Sequence, residues 1–162
     1  MKRKAVFLDR DGVLNRERDA YTWLLEDFEI LPDVVPALIE LKKRGYIFVI
    51  ITNQGGVKKG LFTSEDVERV HAYLLDHLKK NGITIEEVYY CTHHPLTGSC
   101  ICRKPDSVSV EKAIARFDID VKKSYFIGDK ERDILAGEKA GVKGILIEQN
   151  TSLLDAIKQI PA

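Results

Sequence analysis

Two rhythms of hydrophobic positions alternate along this chain. Short apolar runs fall at Ala5-Val6-Phe7-Leu8, at Tyr46 to Ile51, at Glu87-Val88-Tyr89-Tyr90, at Ser124 to Ile127 and at Gly144 to Ile147. Runs of this length bounded by polar residues or glycine predict strands, the first of them buried on both faces. Between them, apolar residues recur every three or four positions, the period of a helix with one buried face. Pro32 and Asp33 open the first such stretch, with Val34, Leu38 and Leu41 on one face and Lys42-Lys43-Arg44-Gly45 as basic last turn and stop. In the second, Thr63 or Ser64 caps, Glu65, Asp66 and Glu68 fill the first turns, and Asn81-Gly82 ends it. Its apolar stripe is Val67, Val70, Leu74, Leu75 and Leu78, and its two histidines, His71 and His77, are expected to face solvent. Further helices are predicted over 108–117, 134–140 and 153–160.

Alternating strands and helices predict an α/β fold with a doubly wound, mostly parallel sheet, in one domain spanning residues 1–162. Residues 15–29 carry Tyr21, Trp23 and Phe28 without a clean period. They read as a loop that lines a pocket, or in which Trp23 merely plugs the rim of the core. Residues 55–60 hold three glycines and two lysines but lack the Gly-Lys-Ser/Thr ending of a nucleotide-binding loop. A mobile loop is expected there.

In parallel sheets, ligands bind beyond the carboxyl ends of the strands. Those ends carry Asp9 and Asp11, Thr52 and Asn53, and Gly128 and Asp129, with Asp133 four residues later. Two acids one residue apart repel each other when both are ionised, so a fold that gathers them must protonate one or supply a cation. Magnesium, which prefers oxygen ligands, fits this set. An EF-hand does not, because Gly12 follows Asp11 directly. Lys104, in Arg103-Lys104-Pro105, offers a fixed positive charge, and Thr52 a hydroxyl. A phosphoryl group is the substrate that uses all of these. Cation and lysine neutralise its oxygens, one aspartate attacks in line, and Asp11 serves first as acid and then as base.

Charge is balanced, with 25 lysines and arginines against 25 aspartates and glutamates, so nothing draws the chain generally to nucleic acid or an anionic membrane. The apolar run before Asp9 is too short for a signal-peptide core or a membrane span. A soluble, cytoplasmic and monomeric protein acting on a small phosphorylated metabolite is expected. Cys91, Cys100 and Cys102 lie within twelve residues, an odd number that suits a metal better than a disulfide framework. Cys-x-His at 91–93 and Cys-x-Cys at 100–102 supply the four ligands of a closed tetrahedral zinc site, with His94 as a substitute for His93. Such a zinc would be structural, pinning the loop that carries Arg103 and Lys104.

Asp9-Arg10-Asp11-Gly12-Val13, Thr52, Lys104 and Gly128-Asp129-Lys130-Glu131-Arg132-Asp133 resemble, in order and spacing, the motifs of the haloacid dehalogenase (HAD) superfamily of phosphatases. The likeness runs from Phe7 to about Ile147. Asp-Arg-Asp-Gly-Val-Leu-Asn at 9–15, Thr-Asn-Gln-Gly-Gly at 52–56 and the Cys/His segment are similar to the small group without a large cap domain. That group contains the D-glycero-D-manno-heptose 1,7-bisphosphate 7-phosphatases and the histidinol-phosphatase domains. The resemblance implies that Asp9 forms an aspartyl-phosphate, that Asp11 is the acid/base, and that Thr52 and Lys104 hold the phosphoryl oxygens. It implies magnesium at Asp9, the Asp11 backbone carbonyl and Asp129, supported from behind by Asp133, and zinc at Cys91, His93, Cys100 and Cys102.

By the same resemblance, Asn53, Arg103 and Lys130 contact substrate. Gly128-Asp129-Lys130 and the 53–56 turn are similar to the heptose enzymes, whereas the short metal loop is more like the histidinol type. Asp106-Ser107 and Lys58-Lys59 depart from the usual pattern of the heptose group. Receiver-like phosphoacceptor domains remain the non-enzymatic alternative. In those domains, however, adjacent acids precede a later phosphoacceptor and no zinc ligands intervene.

Overall fold

The apolar runs become the strands of one five-stranded parallel sheet. The computed structural model describes residues 1–162. β1 (Lys4–Leu8), β2 (Tyr46–Asn53), β3 (Ile85–Cys91), β4 (Tyr125–Gly128) and β5 (Lys143–Leu146) lie in the order β3-β2-β1-β4-β5. β1 is central: Phe7 pairs with Val49 of β2 on one side and with Phe126 of β4 on the other.

Period-two alternation sends successive side chains of β1 to opposite faces. Val6 and Leu8 join Phe48, Ile50 and Ile127 in the larger core layer. Three helices cover that layer: α1 (Val34–Lys43), α2 (Ser64–Lys80) and the short α5 (Leu153–Ala156). Ala5 and Phe7 join Val49, Ile51 and Phe126 on the other face, beneath α3 (Val108–Phe117) and α4 (Glu131–Lys139). The chain winds outward from β1 through β3, then crosses back to β4, so strand order reverses between β1 and β4. The crevice beyond their carboxyl ends is where such a sheet holds its ligand.

Thr63 is the cap of α2: its hydroxyl accepts from Asp66 N, and the Asp66 carboxylate accepts from Thr63 N. α4 starts three residues earlier than its apolar period suggests, at Glu131, because Asp133 accepts from Lys130 N in its first turn. The last predicted helix shortens to α5 followed by a single 3-10 turn at Ile157–Gln159. The 55–60 segment is better ordered than a free loop. Lys58 N donates to Thr92 O, Lys59 N to Gly55 O and Leu61 N to Gly56 O. No helix is long and apolar enough to cross a membrane.

Two expectations on α2 change. His71 is buried at 5% exposure, and His77 is half-buried. Position 71 lies four residues after Val67 and three before Leu74, so it shares their core-facing side of the helix.

Candidate active site

Four chain segments converge at the β1/β4 crevice. β1 delivers Asp9 at once beyond its last residue, with 6% of its surface exposed. Lys104 approaches from the other direction, wholly enclosed: its Nζ donates to Asp9 Oδ1 at 2.8 Å and to the Ile51 carbonyl at 2.7 Å, and lies 2.6 Å from Asp133 Oδ1. These partners raise the lysine above its ordinary range: burial alone would lower it, and the charges of Asp9 and Asp133 outweigh that. Asn53 holds the lysine's main chain from both ends. Its Oδ1 accepts from Lys104 N and its Nδ2 donates to Lys104 O, at 3.0 and 3.1 Å.

Asp129 completes the acidic set. Asp9, Asp129 and Asp133 can each offer an oxygen within 4.8 Å of the others. Both Asp129 oxygens are buried and without a hydrogen-bond partner. Burial, followed by the charge of Asp9, pushes this carboxyl up to about 8. Burial and the same neighbour raise Asp133, with Lys104 pulling in the opposite direction. Gly12 makes room for this close approach. Its φ of +87° suits glycine, and a Cβ there would run into the Asp129 carboxylate.

Asp11 faces differently from Asp9. Its Oδ1 accepts from Arg10 Nη2 at 2.8 Å and from Asn15 Nδ2 at 2.9 Å, and its Oδ2 accepts from Gln54 Nε2 at 3.0 Å. Burial alone would raise this carboxyl, but the Arg10 charge and the three donors hold it below the usual range. Gln54 Nε2 also donates to Thr52 Oγ1, tying the hydroxyl into the same network.

A cavity of about 260 Å³ opens over these groups, lined by Asp9, Asp11, Thr52, Asn53, Asp129 and Lys130 among others. Tyr21 and Thr22 line it too, so the 15–29 loop does reach the pocket. Trp23 packs instead on the Phe62 ring, 6.0 Å between centroids and nearly parallel. Lys130 is half-exposed, with Nζ 3.3 Å from Gln149 Oε1. Arg103 does not reach this cavity. It lines a neighbouring hollow with His94, Cys100 and Asp106, and its Nη1 donates to the His93 carbonyl.

At the end of β3, Cys91, His93, Cys100 and Cys102 gather their donor atoms within 4.8 Å. Cys91 Sγ lies 3.5 Å from His93 Nδ1 and 3.6 Å from Cys100 Sγ, and His93 Nδ1 lies 3.3 Å from Cys102 Sγ. All three thiols are free. Burial and the neighbouring Cys102 push Cys91 up to about 12. His94 points elsewhere, its Nδ1 accepting from Leu96 N to cap the next turn.

Relatives match over most of this chain. It is 37% identical, over 87% of its length and 80% of the relative's, to a D-glycero-alpha-D-manno-heptose-1,7-bisphosphate 7-phosphatase of Photorhabdus laumondii. It is 40% identical, over 91% and 84%, to the corresponding beta-named enzyme of Helicobacter pylori. The chain belongs to the heptose-bisphosphate phosphatase family. A family model described as HAD-hydrolase-like matches residues 101–162, consistent with that family's place among the HAD-like hydrolases. In three dimensions, the D,D-heptose 1,7-bisphosphate phosphatase of B. bronchiseptica, solved with magnesium and phosphate, superposes with a TM-score of 0.83 at 29% identity. That comparison covers 98% of this chain and 88% of the other.

The residues present fit a divalent cation in the crevice. A buried carboxylate with two unpartnered oxygens beside a second carboxylate is an arrangement that a hard cation completes. Three thiols and an imidazole at mutual contact likewise form a donor set for a softer metal. Arg10, Asn15 and Gln54 hold Asp11 without any linear signal that they do so. Asn15 lay within the 9–15 motif and Gln54 beside Thr52, but nothing in the linear pattern showed that their side chains turn toward the same carboxylate.

Proposed function

We propose that this chain removes the 7-phosphate of D-glycero-D-manno-heptose 1,7-bisphosphate, in a magnesium-dependent hydrolysis that passes through an aspartyl-phosphate on Asp9. The observation that carries the reading is Asp9 itself, a buried carboxylate with one oxygen fixed by Lys104 and the other chain acids beside it. Asp9, the Asp11 backbone carbonyl and Asp129 would hold magnesium, whose positive charge would offset the repulsion between a phosphate dianion and the attacking carboxylate. Asp133 holds Lys104 and the first turn of α4 in place behind them.

Asp9 attacks phosphorus, the P–O bond to the sugar breaks, and Asp11 gives the departing oxygen its proton. Asp11 then takes a proton from the water that cleaves the aspartyl-phosphate, which frees phosphate and restores Asp9. Thr52 and Lys104 hold the phosphoryl oxygens during both transfers. An incoming phosphate dianion counters the Arg10 charge that keeps Asp11 ionised, so substrate itself readies the acid. Lys130, which lines the cavity, would meet the second anionic group of a bisphosphate. Asn53 acts by fixing Lys104, and Arg103 borders the outer approach. Zinc at Cys91, His93, Cys100 and Cys102 would close the loop that leads two residues later into Lys104.

The test is kcat/KM with added magnesium for both anomers of the bisphosphate, the corresponding monophosphates and histidinol phosphate. Histidinol phosphate is the competing substrate, because the metal loop is short. A bisphosphate anomer is expected to be preferred, and faster turnover of histidinol phosphate would overturn the assignment. Asp9→Asn should abolish turnover with fold and zinc content intact. Substantial residual hydrolysis would mean that another group attacks.

A further inference from the structure

His71 points from the middle of α2 into the core below the end of β1, and the chemistry just described does not use it. Its Nε2 lies 3.2 Å from Arg10 Nη1. A guanidinium only donates, so the imidazole is neutral there and accepts through Nε2. The Tyr90 ring closes the other side, edge-on at 5.4 Å. Arg10 is the largest fully buried side chain of the molecule. Its Nη2 donates both to the Thr22 carbonyl at 2.9 Å and to Asp11 Oδ1 at 2.8 Å, and the Phe28 ring lies 5.4 Å from the guanidinium carbon. The guanidinium plane is therefore fixed by α2, by the 15–29 loop and by an aromatic face. What remains of its reach is aimed at Asp11.

We propose that His71 is a positioning residue for proton transfer: by holding Nη1 of Arg10 it aims Nη2 at Asp11 and sets where that carboxylate rests. The inference rests on the reading of Asp11 as the acid that protonates the leaving oxygen. Without an acceptor at position 71, the planar guanidinium keeps only its Nη2 contacts and swings as a unit about the side-chain torsions before it. The Asp11 carboxylate then loses its fixed angle to the leaving group while keeping Asn15 and Gln54. Attack by Asp9 is untouched, since Lys104 holds that residue from the opposite side.

Leaving groups separate these two effects. A sugar alkoxide needs a proton as it departs, whereas p-nitrophenolate leaves without one, so in the transfer to Asp9 a misplaced acid is felt only on the first; the later cleavage by water, where Asp11 is the base, is common to both. The experiment compares wild type, Asp11→Asn, His71→Phe and His71→Gln in the single-turnover rate of leaving-group release, enzyme in excess, from heptose bisphosphate and from p-nitrophenyl phosphate. That release precedes the step the two esters share. The ratio of the two activities is taken within each preparation, so any unfolded fraction cancels.

Asp11→Asn is expected to lose about 100-fold or more on the sugar phosphate and far less on the aryl ester. His71→Phe should lose roughly 10-fold in the saturating rate of leaving-group release from the sugar phosphate, with half-saturation unmoved, and under about 2-fold from the aryl ester. His71→Gln, whose amide oxygen stands where Nε2 does, should restore the ratio. Equal losses on both esters in His71→Phe, or failure of Gln to rescue, would overturn the proposal and leave the role of Asp11 standing. Equal losses in Asp11→Asn would overturn the acid/base reading and this proposal with it.

Discussion

Replacing Lys104 with methionine keeps most of the side chain's volume and removes its charge. The ammonium lies 2.8 Å from Asp9 and 2.6 Å from Asp133, and each contact is worth about 6 kcal/mol of gross attraction at an effective dielectric of about 20. Most of that offsets the cost of taking three charges out of water. Breaking a buried pair by removing one partner nets a loss of about 3–5 kcal/mol, because the other charge is stranded. In Lys104→Met, Asp9 and Asp133 would share the crevice with no cation between them, Lys130 standing 4.0 Å from Asp129 Oδ2 instead.

The sign with pH follows from Asp133, which is already above its ordinary range and would rise further without the lysine. A carboxyl raised in the folded state favours folding at low pH, where it is protonated in both states, and loses that stability as pH rises through its folded value. The gap between wild type and variant should therefore widen from pH 5 to pH 8. Urea unfolding without added magnesium measures it directly. A difference below about 1 kcal/mol, or one that stays constant with pH, would refute the account of Lys104 as the counter-charge of the site.

Gly12→Ala should cost about 1–3 kcal/mol in backbone strain and displace Asp129, cutting kcat by about 100-fold or more; wild-type activity in a correctly folded variant would refute the steric argument. Because burial and Asp9 hold metal-free Asp129 at about 8, magnesium binding at pH 7 should release close to one proton. Calorimetry in buffers of different ionisation heat reads this, and no release would contradict it. His71 is lowered to about 3 by burial first and by Arg10 next. Its contribution to stability is full above about pH 6.5 and lost as pH falls toward 3, at up to about 1.4 kcal/mol per pH unit. Acid unfolding of His71→Gln should show a shallower slope in that window, and an identical slope would show that His71 is not the group responsible. Metal analysis should find one zinc per chain, and its removal by a thiol reagent and chelator should lower turnover on every substrate alike, because Lys104 begins two residues after Cys102.

The strand ends were legible because uninterrupted apolar runs stop abruptly at polar residues, and the Cys/His set because metal ligands cluster in sequence. Lys104 could be nominated but not its enclosure between two acids, which depends on chain segments 95 residues apart meeting. His71 shows a different failure. The stripe Val67, Leu74 and Leu78 includes position 71 at helical spacing, yet a polar side chain there reads as solvent-facing unless its partner is known, and the partner is a buried arginine from β1's end. Arg103 illustrates the reverse: it sits beside Lys104 in sequence, but Lys104 sends its ammonium inward to Asp9 and the Ile51 carbonyl while Arg103 turns its guanidinium to the His93 carbonyl.

The central place of β1 bears on how the molecule assembles. A chain that has emerged only as far as β3 can pair β1 with β2 and bring Asp9, Asp11 and Thr52 together, but one edge of β1 then remains open. That edge carries Val6, Phe7 and Leu8, which are fully buried only once β4 docks. Closing it requires a contact across more than a hundred residues, a slow class of event and one that leaves a sticky strand exposed meanwhile. β4 brings Asp129 with it. Return of hydrolytic activity after dilution from denaturant should accordingly lag the return of helical signal, and its half-time measures how long that edge stays open to other chains.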